Sequence, residues 1–336
     1  IQRDPKGRGA PRGGPAAFND KEDFSSMGKY ILKRILISVV TLLVILLILF
    51  TMLEFMPGSP FNDEKLTEQQ LAALQEKYGL NDPFPVKFVR YVGNILKGDF
   101  GVSYNIQANM PVSQLLGARL PLSIRIGLQA ALLGTVIGLL LGILAALKRN
   151  TIFDSLSTGI SVLGISLPNF VFALLLSYFL GYKAKIFPIL YSAKLPFFST
   201  ILPTISLAMF TIANIARYSR SELIEVMNTD YILLAESKGL SKAKVVLRHA
   251  LRNALIGIVT VLGPLIVNLL TGSLVVEKAF SIPGIGSLFV TAIQSNDYNV
   301  VLSISFVYSL MFIGMMLLVD ILYCVIDPRV RLSKGE

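Results

Sequence analysis

The sequence predicts an all-α polytopic membrane protein with six transmembrane helices. Hydrophobic residues make up 53% of its 336 residues and charged residues only 15%, whereas soluble domains carry about 25% charged residues. A spanning helix needs about 20 mostly apolar residues, and a helix satisfies every backbone polar group internally, as lipid requires. The predicted spans are Ile35–Met56, Leu122–Leu147, Leu156–Leu180, Ile201–Ile215, Ile256–Val276 and Val300–Ile326.

The first span follows a segment of different character. Residues 1–26 are rich in Gly, Pro and charge without periodicity, which predicts a disordered tail or a remnant added for expression. Lys29, Lys33 and Arg34 then precede an apolar run that lacks a small-residue cleavage site, so we expect a retained anchor. The predicted units are the tail 1–26, the first span with its outer loop 27–118, a five-helix core 119–328 and a cytoplasmic tail 329–336.

The loop after the first span is expected to form a small outer subdomain. Thr67 and Gln70 have capping-box spacing, and Gly79 is placed to end the helix that they begin. The apolar residues of the first helix are Leu71, Leu74 and Tyr78. Those of a second amphipathic helix are Phe88, Val89, Val92, Ile95 and Leu96. The alternative is that both helices merely pack on the membrane surface.

The remaining spans contain prolines and few charges. The fourth is the weakest, because Pro203 and several Ser and Thr residues dilute it. Pro168, Pro203 and Pro264 are expected to kink their spans. Glu54 and Arg125 lie near outer ends and can extend to the interface. Asp320 lies deeper in the sixth span. A carboxylate there is a functional candidate, although structural pairing is the favoured interpretation.

The distribution of Lys and Arg favours cytoplasmic termini. From Met27 onward, 15 basic residues fall in predicted inner segments and 10 in outer ones. Lys183, Lys185 and Lys194, in an outer loop, oppose this trend. The net charge of +10 therefore indicates membrane topology and no nucleic-acid partner.

Several kinds of chemistry are missing from the sequence. It contains no G-x-x-x-x-G-K-[ST] phosphate loop, one histidine (His249) and one cysteine (Cys324). Gly164–Pro168 begins like a nucleophile elbow but lacks the closing glycine. We therefore expect no enzyme activity, no metal site and no cofactor in this chain.

The longest inner loop, Arg217–Leu255, is predicted to form short helices, and the first of them contains Glu222, Leu223 and Val226. A break at 228–230 precedes a helix Tyr231–Lys238 that stops at Gly239, and Ser241 caps a basic helix, Lys242–Asn253, that leads into the fifth span. The apolar residues Leu233, Leu234 and Leu240 are expected to stand exposed among charges. An exposed apolar surface with a polar rim is a docking surface.

This loop resembles the coupling loop of permease subunits of ATP-binding-cassette importers. In their E-A-A-x3-G motif, Leu233, Leu234 and Ala235 would take the first three positions and Gly239 the last, so only Ala235 and Gly239 match. The dipeptide, oligopeptide and nickel branch fits better. The matching residues are Asp230, Tyr231, Ala235, Lys238, Gly239, Leu240, Arg248, Ala250, Leu251, Arg252 and Asn253.

Other segments resemble the same branch, and its first permease in particular. They are MPGSP (Met56–Pro60), GDFGVS (Gly98–Ser103), LVVEKAFSIPGIG continuing to NDYNVV (Leu274–Val301), and VDILYCVIDPRVR (Val319–Arg331). Asn299 and Asp327 depart from the residues that are usual there.

The resemblance implies a type I importer fold and a set of partners. They are a second homologous permease, two cytoplasmic ATPases that bind ATP and Mg²⁺, an extracytoplasmic binding protein and the lipid bilayer of a bacterial or archaeal cytoplasmic membrane. It also implies that the coupling residues above contact the ATPase. We add the hypothesis that Glu277, Phe280, Pro283, Gly284 and Gly286 form an outer gate or receptor contact; the alternative is an ordinary re-entrant turn.

The expected function is ATP-driven import of di- or oligopeptides by alternating access. Nickel complexes and oligosaccharides remain alternatives within the family. An ion-coupled secondary transporter would need intramembrane charges, and only Asp320 qualifies.

Overall fold

The structure, a computed structural model, describes residues 20–55, 67–77, 79 and 81–326, which are predominantly helical. The helices are α1 (Asp20–Glu54), α2 (Glu68–Lys77), α3 (Phe84–Leu96), α4 (Val112–Leu147), α5 (Ile152–Ser166), α6 (Asn169–Leu176), α7 (Phe198–Met227), α8 (Asp230–Ser237), α9 (Lys242–Lys244), α10 (Leu251–Ala279), α11 (Ile285–Gln294) and α12 (Tyr298–Ile326). Two π-helical segments, Ser177–Lys183 and Val245–Ala250, extend α6 and join α9 to α10. Residues 20–26, predicted to belong to a disordered tail, instead form the start of α1. The rest of that tail, the predicted last tail, the segment MPGSP and Tyr78 lie outside the described residues.

Four described segments are long and apolar enough to cross a membrane: Leu32–Glu54, Val112–Leu147, Phe198–Met227 and Tyr298–Ile321. Two bent pairs, Ile152–Ser166 with Asn169–Lys183 and Lys242–Leu255 with Gly257–Ile266, raise the number to six if each is one span. The third predicted span is therefore not one straight helix. Pro168 breaks it, because proline has no N–H and disfavours helical backbone at Leu167.

The weakest predicted span, α7, is the central helix and packs against α4, α5, α6 and α10. Six of its Ser and Thr residues are buried, and two of them, Ser206 and Ser219, donate to backbone carbonyls of their own helix at 2.8 and 2.6 Å. The low hydropathy of α7 thus reflects its interior position. The helix also continues beyond Arg217 to Met227, so the first short helix predicted for the inner loop belongs to this span.

Glycines allow α4 and α7 to approach closely. Gly134, Gly138 and Gly142 are buried on α4, and a Cβ added to Gly142 would stand 2.6 Å from the carbonyl oxygen of Ala216. Small residues at this spacing permit close backbone contact between membrane helices.

Replacing Gly142 by Leu is therefore expected to reduce the amount of folded protein recovered from membranes at least several-fold, because backbone atoms of α7 cannot move aside. The measurement is the monodisperse fraction in detergent after expression. Gly159→Leu is the matched control, since a Cβ at Gly159 meets nothing within 4 Å. Equal recovery of both variants would contradict this packing.

Helix α2 begins as predicted. The Thr67 Oγ1 accepts from the backbone N–H of Gln70 at 3.3 Å, and the Gln70 side chain accepts from the Thr67 N–H at 3.0 Å, which is a capping box. Gly79 has φ +65° just after α2. The side chains of Leu71 and Leu74 lie outside the described residues.

The second outer helix, α3, packs on the first span. The ring of Phe50 in α1 contacts those of Phe84, Phe88 and Tyr91 with centroids 5.5 to 5.7 Å apart, and Lys87 pairs with Glu54. Burial raises the pKa of the Tyr91 hydroxyl. The prediction of the apolar face is partly wrong. The aromatic residues lie on the side of α3 that packs against α1, whereas Val89 and Leu96 are exposed.

Candidate coupling surface and outer gate

The inner loop fixes α8 firmly on one side. Ile232 and Ala235 are 1% and 7% exposed. They pack in one cluster with buried residues of the flanking helices, which are Leu223, Val245, Ala250 and Ala254. The helix is thus anchored both to the end of α7 and to the start of α10. Sequence reasoning missed Ile232, because the run Tyr231–Leu234 is apolar throughout and shows no face.

The other side of α8 carries the apolar patch, which consists of Leu233 and Leu234. Their exposed fractions are 63% and 56%, and Tyr231 stands beside them, also exposed. Leu240 does not belong to this patch. It is partly buried against the cluster around Ile232, because the turn at Gly239 directs the chain back towards α10.

Hydrogen bonds fix both ends of α8. Gly239 has φ +76°, and its N–H donates to the Glu236 carbonyl at 2.9 Å, so glycine is the residue that ends this helix without strain. The Asn253 amide donates to the Tyr231 hydroxyl at 2.9 Å and so connects α8 with α10. Four further predicted coupling residues, Asp230, Lys238, Arg248 and Arg252, are exposed. In the sequence, Asp230 and Lys238 flank the patch, and Arg248 and Arg252 follow it.

Two of the predicted outer gate residues, Gly284 and Gly286, lie against Glu277, which is 0% exposed. Its Oε1 accepts from the Ser123 hydroxyl at 2.6 Å, and its Oε2 accepts from the N–H groups of Gly286 and Ser287 at 2.9 and 3.1 Å. The Ser123 Oγ also accepts from the Ile285 N–H at 2.9 Å. A single carboxylate thus joins α4, the end of α10 and the start of α11. Ser123 was not predicted, since an isolated serine in a span carries no signal.

The turn beside Glu277 is compact. A Cβ at Gly284 would stand 2.3 Å from the Glu277 Oε2, and one at Gly286 would stand 2.7 Å from the Cα of Leu274. Phe280 is buried, and its carbonyl accepts from the Tyr191 N–H at 2.8 Å. Pro283 alone among the predicted gate residues is exposed. The glycines are therefore needed for the close approach of the backbone to the carboxylate.

A second buried carboxylate, Asp297, holds the outer loop. It is 0% exposed, and its Oδ2 accepts from the Ser103 hydroxyl at 2.5 Å and from the N–H groups of Tyr104, Asn105 and Ile106 at 3.0, 3.1 and 3.2 Å. The segments GDFGVS and NDYNVV therefore meet. We call this arrangement the Asp297 latch. Both segments belong to the family resemblance, but their contact was not predicted from the sequence.

Two ion pairs connect spans towards their predicted inner ends. Asp320 Oδ2 lies 3.2 Å from Arg34 Nη1, which gives the structural pairing favoured for Asp320. Asp154, 6% exposed, accepts from Arg220 Nε and Nη2 at 2.6 and 2.9 Å and joins α5 to α7. This second pair was missed, because neither residue stands in a motif. Among the described residues, no three His, Cys, Asp or Glu side chains group to hold a metal.

Comparison with known proteins gives matches along most of the chain. Residues 138–332 match the family model described as binding-protein-dependent transport system inner membrane component, and residues 27–126 match the model of the N-terminal part of such components. The dipeptide transport system permease protein DppB of Lactococcus lactis subsp. cremoris (strain MG1363) is 45% identical over 306 residues, which cover 91% of this chain and all of that protein.

Two further relatives extend the comparison. The oligopeptide transport system permease protein OppB of Haemophilus influenzae is 38% identical over 314 residues, covering 91% of this chain and 100% of that protein. Among solved structures, an inward-facing MetNI methionine ABC transporter matches with a TM-score of 0.55 at 17% identity, covering 64% of this chain and 97% of that one. The last likeness concerns the fold, which is that of type I importer permeases.

Proposed function

Because the chain belongs to the family of binding-protein-dependent transport system inner membrane components, and so is a permease of an ATP-binding-cassette importer, we propose that it carries di- or oligopeptides. The observation that supports this cargo is the 45% identity to a dipeptide permease over nearly the whole chain. Nickel complexes and oligosaccharides, the alternatives considered from the sequence, are not favoured by these relatives. The proposed location is a bacterial or archaeal cytoplasmic membrane, with both termini inside.

The proposed partners follow from what the chain exposes and lacks. Its sequence has no phosphate loop, so two partner ATPases would bind ATP and Mg²⁺, and an outer binding protein would deliver the substrate. A second, homologous permease would complete the passage. An apolar stripe on α4 is available to it or to lipid, and it consists of Leu128, Leu132, Val136, Leu140 and Leu144.

In the proposed mechanism, the ATPases push on the apolar patch of α8. Because Ile232 and Ala235 are packed against both α7 and α10, a displacement of α8 moves these two spans together as rigid bodies. At the outer side, Glu277 joins α4 to the turn after α10. Rotation of α10 relative to α4 would break this contact, so we propose it as the outer gate.

The basic residues after α8 provide the next prediction. Reversing the charge of the exposed Arg248 and Arg252 to Glu is expected to reduce co-purification of the ATPase at least several-fold, because both lie in the segment that leads from α8 into α10. Recovery of the partner from membranes is the measurement. The Lys183→Glu/Lys185→Glu variant, on the predicted outer side, is the control. Unchanged recovery in the Arg variant would mean that these arginines serve topology alone.

The cargo is tested with the complete complex in proteoliposomes. Binding proteins loaded with a dipeptide, an oligopeptide, a nickel complex or an oligosaccharide are added outside, and ATP hydrolysis inside is measured. Stimulation by a peptide-loaded binding protein is expected. Stimulation only by a nickel- or sugar-loaded one would refute the proposed cargo while leaving the transporter assignment in place.

A further inference from the structure

The backbone is interrupted between α5 and α6. These helices meet at 108°, and Leu167 and Pro168 are non-helical, with ψ of 125° and 139°. Pro168 has no N–H to donate to the Gly164 carbonyl, and the bend removes the donors that a continuous helix would offer Ile165 and Ser166. The Leu167 N–H donates to the Leu163 carbonyl at 3.0 Å, so neither Leu167 nor Pro168 provides a donor for the Gly164 carbonyl.

The interruption lies deep in the membrane. Residues 155–182 contain no charged side chain, and Leu167 and Pro168 stand at the middle of this stretch. Gly164, one turn earlier, packs on the interior of α7, since a Cβ there would stand 2.7 Å from the Cβ of Ala213. Both observations place the break well inside the hydrocarbon layer.

The chain itself does not cover this break. The buried face of α5 consists of Asp154, Ser157, Ser161 and Gly164, whereas Ile165, Ser166 and Pro168 are exposed. An unpaired backbone polar group facing lipid costs several kcal/mol, so irregular backbone at this depth is tolerated only where it lines water or meets protein. Lipid therefore cannot be its neighbour.

We propose that the break, residues 165–169, lines the passage through which the substrate crosses this subunit. Its carbonyl oxygens, with the side chains of Ser166 and Asn169, would accept hydrogen bonds from the N–H and ammonium groups of a peptide. Backbone N–H groups are common to all peptides. Hydrogen-bond acceptors for them, with no charged side chain nearby, therefore suit a transporter of peptides that differ in their side chains. The contact with peptide rests on the function proposed above, whereas the water-filled passage does not.

Cysteine labelling of the intact complex tests this proposal. Cys324 is the only cysteine in the sequence, so Cys324→Ala gives a cysteine-free background. Ser166→Cys is the test variant in this background. Leu163→Cys is the control, because the native Leu163 side chain is 57% exposed on α5. Membrane vesicles of both orientations are treated with a membrane-impermeant maleimide, with and without a non-hydrolysable ATP analogue. Ile165→Cys replaces Ser166→Cys if the latter does not assemble.

We expect Ser166→Cys to react at least tenfold faster than Leu163→Cys in one of the nucleotide states, and a peptide presented by its binding protein to slow the reaction. Labelling as slow as that of the control in every state, in a complex that still transports, would mean that the second permease seals the break and would overturn the proposal. Fast labelling that peptide does not slow would uphold the passage and overturn the peptide contact.

Discussion

Replacing both Leu233 and Leu234 by Asp is expected to reduce ATP-dependent uptake at least a hundredfold. Both side chains are more than half exposed, and burial of one leucine at an interface is worth about 1.5–3 kcal/mol. Losing two therefore weakens binding of the ATPase by about 3 kcal/mol or more, which is about a hundredfold. Uptake and co-purified ATPase activity are the measurements.

The control for this variant is Leu195→Asp, which makes the same change at a leucine that is 52% exposed in the loop between α6 and α7. It is expected to leave recovery of the ATPase unchanged. Ile232, adjacent in sequence to Leu233, is unsuitable as a control because it is buried. If the Leu233/Leu234 variant retained its ATPase partner and its uptake, the patch would not be the docking surface.

Replacing Asp297 by Ala should release the outer loop that the Asp297 latch holds. The substitution removes the acceptor of the buried Ser103 hydroxyl and of three part-buried backbone N–H groups, and a buried donor that loses its acceptor costs about 1–3 kcal/mol. We expect the free energy of unfolding to fall by about 3 kcal/mol or more. We also expect rapid proteolysis within residues 103–110. Limited proteolysis from the outer side and the unfolding temperature in detergent measure this.

Two variants calibrate that result. Asp297→Asn keeps an acceptor oxygen and should have an intermediate effect. Asp99→Ala removes an exposed carboxylate that accepts from the nearby Gly101 N–H, and it should have little effect on stability. An Asp297→Ala protein as stable and as protease-resistant as the parent would show that the latch does not hold the loop.

Local features of the fold were predictable from the sequence. Spans follow from runs of apolar residues, and the capping box at Thr67 and the turn at Gly239 follow from residue types at fixed spacing. The break at Pro168 was expected only as a kink. The sequence does not show that the backbone on both sides changes direction by 108°.

Features that depend on distant contacts were not predictable. Leu234 and Ile232 are both aliphatic, and only packing against α7 and α10 decides that Ile232 is buried and Leu234 exposed. Ser103 and Asp297 are 194 residues apart, and no single-sequence pattern connects them. The candidate site was therefore located by motif, while the division of α8 into an anchored side and an exposed side required the structure.

The most direct test of the central claim is the energy source of uptake. Membrane vesicles that contain the complete complex are given a peptide with its binding protein, either with ATP enclosed or with an imposed proton or sodium gradient and no ATP. We predict uptake with enclosed ATP, its loss in the Leu233/Leu234 variant and no uptake from the gradient alone. Uptake that an ion gradient drives without ATP would contradict an importer powered by partner ATPases through α8.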